Sequence, residues 1–96
     1  MSVIDIDWKG ISNNSIDIVA KDNDHLIFVE VNTYYKTQDD LKKDNKVDRL
    51  KKNMLPAMNL YLSDKLAVSN FRIDSISVIL SSINPEILHN KDIKID

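Results

Sequence analysis

Residues 15–32 constrain the fold of this chain more than any other stretch, because they hold two strand-forming runs around a short turn. The runs read Ser-Ile-Asp-Ile-Val-Ala-Lys and His-Leu-Ile-Phe-Val-Glu-Val-Asn, and the sequence between them is Asp-Asn-Asp. Asn and Asp favour tight turns, since their short side chains bond the local backbone and tolerate left-handed conformations. The segment is therefore predicted to form a β-hairpin.

The position of the turn sets the register of this hairpin. A turn centred between Asn23 and Asp24 places Asp17 opposite Glu30 and Ser15 opposite Asn32. Side chains alternate across a strand, so these four residues share one face. The other face is entirely apolar and is expected to be core: Ile16, Ile18, Ala20, Ile27, Val29 and Val31.

The carboxylate pair on the first face needs a physical reason, because like charges directly opposite each other destabilise a sheet. A divalent cation such as magnesium, which takes oxygen ligands, would relieve the repulsion between Asp17 and Glu30. Two other interpretations remain, a solvated sheet face and a register shifted by one residue.

Composition excludes several functional classes. With 96 residues and 43% hydrophobic content, the chain is predicted to form one domain, residues 1–96, with a single core. The absence of cysteine excludes disulfides and zinc-thiolate sites, and a single glycine argues against phosphate loops and nucleotide cofactors. No apolar run approaches the roughly 20 residues of a membrane span, and no signal-peptide pattern is seen, so a cytoplasmic location without membrane contact is expected.

Further strands and one long helix are predicted around the hairpin. Residues 3–8 alternate as a half-buried strand with Ile4, Ile6 and Trp8 facing inward, and residues 70–80 read as a well-covered strand. An apolar stripe predicts a helix over residues 40–63, which Pro56 should kink or divide near Asn53. Residues 85–89 are predicted to form a helical turn, and residues 93–96 an edge strand.

These elements together predict an α/β fold with a mixed β-sheet, a central hairpin and one long helix packed on the all-apolar face. Basic residues are concentrated on the helix region, since residues 36–52 contain seven basic and four acidic side chains. Lys42, Lys46 and Arg49 share a helical face and are expected to contact DNA phosphates. The alternative is a solvated outer face of the helix.

The chain resembles the YraN-type family of PD-(D/E)XK nuclease-like proteins, relatives of Holliday junction resolvases. The resemblance is carried by Ile-Asp-Ile-Val-Ala-Lys-Asp at residues 16–22 and Leu-Ile-Phe-Val-Glu-Val-Asn at residues 26–32. It continues through Lys-Val-Asp-Arg at residues 46–49 and Phe-Arg-Ile-Asp at residues 71–74. The resemblance implies a restriction-endonuclease-like core and a DNA endonuclease in which Asp17, Glu30 and the Val31 carbonyl bind magnesium or manganese.

The chain departs from the family pattern at three places. Family members carry Glu at the position of Ser15 and Lys at the position of Asn32, and an N-terminal helix precedes the first strand. A lysine would bring positive charge to the scissile phosphate, whereas Asn32 offers only hydrogen bonds. Lys51, which matches a basic position of the family helix, is predicted to supply the missing charge.

Two functions follow from this combination. One is a metal-dependent DNA endonuclease with an incomplete active site, in which Asp17, Glu30, Asn32 and Lys51 take the catalytic roles. The other is a catalytically inactive nuclease-fold module that binds nucleic acid or a protein partner. A homodimer, in which a second subunit replaces the missing helix, is a further prediction.

Overall fold

A five-stranded mixed sheet and two helices form the described part of the chain, which is a mixed α/β fold. The protein is represented by a computed structural model that describes residues 1–35, 46–63, 70–80 and 84–94. The elements, in chain order, are β1 (Ser2–Lys9), β2 (Ser15–Asp22), β3 (His25–Tyr34), α1 (Lys46–Asn53), α2 (Leu55–Ser63), β4 (Phe71–Ile79) and β5 (Glu86–Asn90).

The sheet has the strand order β1-β2-β3-β4-β5, with β3 at its centre. The pairs β1–β2, β2–β3 and β4–β5 are antiparallel, whereas β3 and β4 run parallel. The hairpin register is confirmed from Ile18, which pairs with Val29, to Asp22, which pairs with His25 at the turn. Asn23 makes this turn possible with a φ of 54°, a left-handed conformation that asparagine tolerates.

The helices pack on the opposite face of the hairpin from the one predicted. The larger core cluster joins Val19, Leu26 and Phe28 of the sheet to Leu50 and other apolar residues of both helices. The predicted core face, apart from Ile16, which belongs to the larger cluster, forms a smaller cluster of Ala20, Ile27 and Val29, bordered by Ile18, Val31 and Ile76. The prediction was wrong because both faces of the hairpin are apolar near the turn. The helices therefore cover the face that carries Glu30.

The predicted long helix is two helices, which meet at Met54, as Pro56 suggested. Pro56 lies at the second residue of α2, where its missing N–H and fixed φ are tolerated. Leu50, Met54, Ala57, Met58 and Tyr61 are buried against the sheet. Neither described helix is long and apolar enough to cross a membrane. The predicted helix start near Asp40 lies outside the described residues.

The first strand is confirmed and Trp8 packs against the core as predicted, but the other two residues predicted to face inward do not. Ile4 and Ile6 are exposed, whereas Asp5 and Trp8 face the helices, and Tyr61 bonds Asp5. The register shifts between Val3 and Asp5, and the left-handed Asp7, with a φ of 53°, interrupts the pleat again before Trp8. Two irregularities thus defeat a face assignment based on simple alternation.

The C-terminal elements differ from the prediction. The segment expected to be a helical turn is strand β5, which pairs antiparallel with β4. The described part of the predicted edge strand, Ile93 and Lys94, is not a strand; the Ile93 N–H instead donates to the Ile73 carbonyl at 2.7 Å. The outer edge of β4 offers unpaired backbone groups, and pairing with them outweighs the weak local preference of a five-residue segment.

Candidate functional site at the end of the central hairpin

Glu30 is the centre of the candidate site. Its side chain lies on β3 beneath α1 and is only 10% exposed. The Arg49 guanidinium of α1 bonds both carboxylate oxygens, with Nε 3.0 Å from Oε2 and Nη2 2.6 Å from Oε1. The Asn32 amide, two residues along the same strand, also donates to Oε1. Glu30 is therefore held by a bidentate ion pair and an additional hydrogen bond.

Asp17 lies on the neighbouring strand at the same level of the hairpin. The β2–β3 ladder ends with Ile18 paired to Val29, and Asp17 is the next residue of β2. One carboxylate oxygen of Asp17 accepts the backbone N–H of Val31 at 2.7 Å. The end of the β2–β3 ladder is thus completed by a side chain, which fixes Asp17 beside the backbone that follows Glu30.

Ser75 borders the site on the other neighbouring strand. The parallel register pairs Glu30 with Ser75 and Asn32 with Ser77, and paired residues of parallel strands project from the same face. Ser75 is fully buried, and its hydroxyl has no hydrogen-bond partner in the described part of the chain. Sequence reasoning missed Ser75, since only the register of β4 brings it next to Glu30.

The basic residues predicted to act at this site are separated by the structure. Arg49, predicted to contact phosphates, is 21% exposed and contacts Glu30. Lys51, predicted to act as the substitute cation, is exposed two positions later and lies about 200° around the helix from Arg49. Lys46 is half-buried, and Lys42 lies outside the described residues. The cation at Glu30 is thus Arg49, and the catalytic role of Lys51 stays a prediction.

The donor set does not fit a divalent metal as the side chains are arranged. Magnesium requires several free oxygen ligands, but both Glu30 oxygens already accept hydrogen bonds from nitrogen donors. A metal ion would also stand next to the positive Arg49. Within the described ranges, no group of three or more His, Cys, Asp or Glu side chains is placed to share a metal ion. The predicted ligands Asp17, Glu30 and Val31 are brought together, but in a hydrogen-bonded arrangement.

A second buried carboxylate, Asp74, lies on β4 away from this site. Arg72 bonds it through Nε and Nη2 at 3.1 and 3.2 Å, and His89 Nε2 lies 2.9 Å from Oδ2. The Asp92 backbone N–H donates to Oδ1 at 3.0 Å. Burial raises the pKa of Asp74, but the bonds from Asp92, His89 and Arg72 outweigh it, so the pKa lies below its usual value of 3.8. Arg72 and Asp74 thus form an ion pair on one face of β4, and His89 bonds the same carboxylate.

Comparison with known proteins identifies the family but not an activity. No curated protein matches the chain. The profile described as "Uncharacterised protein family UPF0102" matches residues 1–78, which include the hairpin, both helices and most of β4. The chain therefore belongs to this family, the YraN family, as its resemblance indicated.

Proposed function

We propose that this chain is a nuclease-like module that binds the phosphate backbone of DNA without hydrolysing it. The observation that carries the proposal is that both carboxylate oxygens of Glu30 already accept hydrogen bonds from Arg49 and Asn32. The proposal joins this observation to the nuclease-like family and to the basic character of α1.

The hydrogen bonds to Glu30 remove the chemistry that phosphodiester hydrolysis needs at this position. A carboxylate that accepts three hydrogen bonds from nitrogen donors is a poor base and offers few lone pairs to a cation. Asn32 is neutral and donates to Glu30, so it brings no positive charge to a phosphate. Removing one positioned catalytic group costs about 10²–10⁴-fold in rate, and here the carboxylate and the lysine position are both affected.

The surface of α1 provides the support for phosphate binding. The helix carries four basic residues and one acidic residue, and Lys51 and Lys52 lie in its last turn with exposed side chains. Because Arg49 is engaged by Glu30, the lysines of α1 are the side chains available to bind the negatively charged phosphates. Lysine contacts of this kind position a protein on DNA without reading its sequence.

Salt-dependent binding of a labelled 25-base-pair duplex, followed by fluorescence anisotropy, tests the proposal. Each phosphate contact adds about 0.9 to the slope of log K against log salt. The double variant Lys51→Gln with Lys52→Gln should therefore lower the slope by about 2 and weaken binding at 50 mM salt at least tenfold. Lys9→Gln with Lys91→Gln removes the same charge from exposed positions elsewhere and is the matched control.

The outcome that would contradict DNA binding is equally defined. Binding that is absent at 50 mM salt, or independent of salt, counts against phosphate contacts by α1. Equal losses in the α1 variant and the control variant would show a general charge effect and remove the helix from the proposal.

A metal-dependent endonuclease that uses magnesium or manganese is the second candidate, favoured by the hydrogen bond from the Val31 N–H to Asp17, which holds that carboxylate beside the backbone that follows Glu30. Supercoiled, linear and branched DNA should stay intact with the wild-type protein at 10 mM Mg²⁺ or Mn²⁺. Cleavage that disappears in Glu30→Gln would replace the first candidate by this one. Asn32→Lys, which restores the family residue, adds a gain-of-function arm to the same assay.

A further inference from the structure

We propose that Arg49 is a tethered cation that takes the place of a divalent ion at Glu30, so that guanidinium and divalent ion exclude each other there. The inference rests on the proposed function, because it explains how a site without metal keeps its carboxylates. Its consequence is specific: a variant without the guanidinium should gain a divalent-cation site that the wild-type protein lacks.

The electrostatic need for a cation at Glu30 follows from burial. An ionised carboxylate that is 10% exposed requires a counter-charge or hydrogen bonds to replace the water it has lost. Arg49 meets this need with two bonds in the fork geometry that matches a carboxylate. The charge that a metal would neutralise is thus already neutralised by the chain itself.

Removing Arg49 would leave oxygen atoms around an uncompensated charge. Glu30 would regain Oε2 and part of Oε1, and Asp17 has a second oxygen besides the one that accepts the Val31 N–H. The buried hydroxyl of Ser75, which has no partner among the described residues, lies on the same face next to Glu30. Such hard oxygen donors suit magnesium, manganese or calcium.

A second arginine–carboxylate pair in the same chain gives a matched control. Arg72 pairs with Asp74 in the same two-bond manner, and its side chain is 23% exposed, compared with 21% for Arg49. Asp74 keeps bonds from His89 and the Asp92 N–H when Arg72 is removed. Arg72→Met therefore removes the arginine from a buried carboxylate, as Arg49→Met does. It does so at a position without the oxygen donors that surround Glu30.

The experiment is manganese binding without DNA, measured by thermal shift and by the EPR signal of free Mn²⁺. For a site with a Kd of about 1 mM, 10 mM MnCl₂ should raise the Tm of Arg49→Met by about 5–10 °C. The wild-type protein, Arg72→Met and the double variant Arg49→Met with Glu30→Gln should show no manganese-specific rise. EPR should report one bound ion in Arg49→Met alone.

Arg49→Gln keeps the test decisive if Arg49→Met fails to fold, since it removes the same charge but keeps a polar side chain. No manganese binding in the folded glutamine variant, or equal binding in the wild-type protein, overturns the proposal. Because DNA is absent, a negative result here leaves the salt-dependence test of DNA binding unaffected, and the two proposals fail separately.

Discussion

Glu30 and Asp74 are two buried carboxylates, each held by a bidentate arginine, yet they are built from different parts of the fold. Every partner of Asp74 comes from β4, β5 or the segment that follows β5, and one of them is a backbone N–H. The main partner of Glu30 is a side chain on α1, a separate element that packs over the sheet. Asp74 is thus fixed by its own sheet edge, whereas Glu30 depends mainly on the Arg49 side chain, with one further bond from Asn32.

The two carboxylates therefore connect different elements: Asp74 joins strands of the sheet, and Glu30 joins the sheet to α1. Asp74 joins β4, β5 and residue 92, so its loss would loosen the edge of the sheet as a whole. Glu30 joins the sheet to α1 through the Arg49 side chain, and this partner can be exchanged without cutting any backbone hydrogen bond. Four measurements test this difference between the two carboxylates.

Asp74→Asn should be the most destabilising of these changes. The substitution removes the charged acceptor of Arg72 and His89 at Asp74, which is fully buried. The free energy of unfolding should fall by about 3–5 kcal/mol. Urea unfolding followed by circular dichroism measures it. Asp92→Asn is the control, because the exposed ion pair of that carboxylate with Lys94 should contribute less than about 1 kcal/mol. Equal losses in both variants would contradict the structural role of Asp74.

Glu30→Gln should cost less, about 1–3 kcal/mol, because Glu30 is 10% exposed, whereas Asp74 is fully buried and also bonds His89 and the Asp92 N–H. The same urea titration compares it with Asp74→Asn. A loss larger than that of Asp74→Asn would reverse the assignment of the two carboxylates and make Glu30 the main structural anchor.

The loss of folding stability at acid pH should be due to Asp74. Its folded-state pKa is below the unfolded value of 3.8, so the unfolded chain takes up the proton first as the pH falls. The stabilisation is complete above about pH 5 and is lost as the pH falls through 3.8 towards the folded pKa. Unfolding midpoints between pH 2 and pH 6 should therefore fall less steeply in Asp74→Asn than in the wild-type protein. Parallel curves would exclude Asp74 as the source.

Tyr61→Phe should have the smallest effect, about 1 kcal/mol at pH 8, since it removes one hydrogen bond of 2.8 Å to Asp5. Burial, and then the hydrogen bond and charge of Asp5, raise the pKa of Tyr61 from 10 to about 12. Stability that depends on the neutral phenol is therefore complete below pH 10 and lost as the pH rises through 12. The wild-type protein should lose more stability than Tyr61→Phe over that range, and the reverse would contradict the contact.

The sequence was informative where the physical cause was local. The turn at Asn23 and the alternation on β2 and β3 predicted the register correctly, because turn chemistry and pleating act over a few residues. The division of the helix near Pro56 was predicted for the same reason. The turn and the alternation also predicted Asp17 near Glu30 before any family was considered, and Asp17 accepts the Val31 N–H, next to Glu30 along β3.

Contacts between distant elements could not be predicted in the same way. Both faces of the hairpin are apolar near the turn, so the sequence did not tell which face the helices cover. The choice of Arg49 as the partner of Glu30 depends on the position of α1 over β3, and Lys51 was an equally basic candidate. Strand β5 forms because it pairs with the open edge of β4, and the local sequence of β5 does not indicate this pairing.

The parallel pairing of β3 with β4 has a consequence for how the chain folds during synthesis. Each pair, from Leu26 with Phe71 to Tyr34 with Ile79, joins residues 45 positions apart. The hairpin can form within microseconds of emerging from the ribosome, whereas this pairing must wait for the later strand and for loop closure. Until then the strand-forming run at residues 26–31 is an open edge, the kind of surface that other chains can pair with. The nascent chain is thus most prone to aggregate between the emergence of β3 and that of β4.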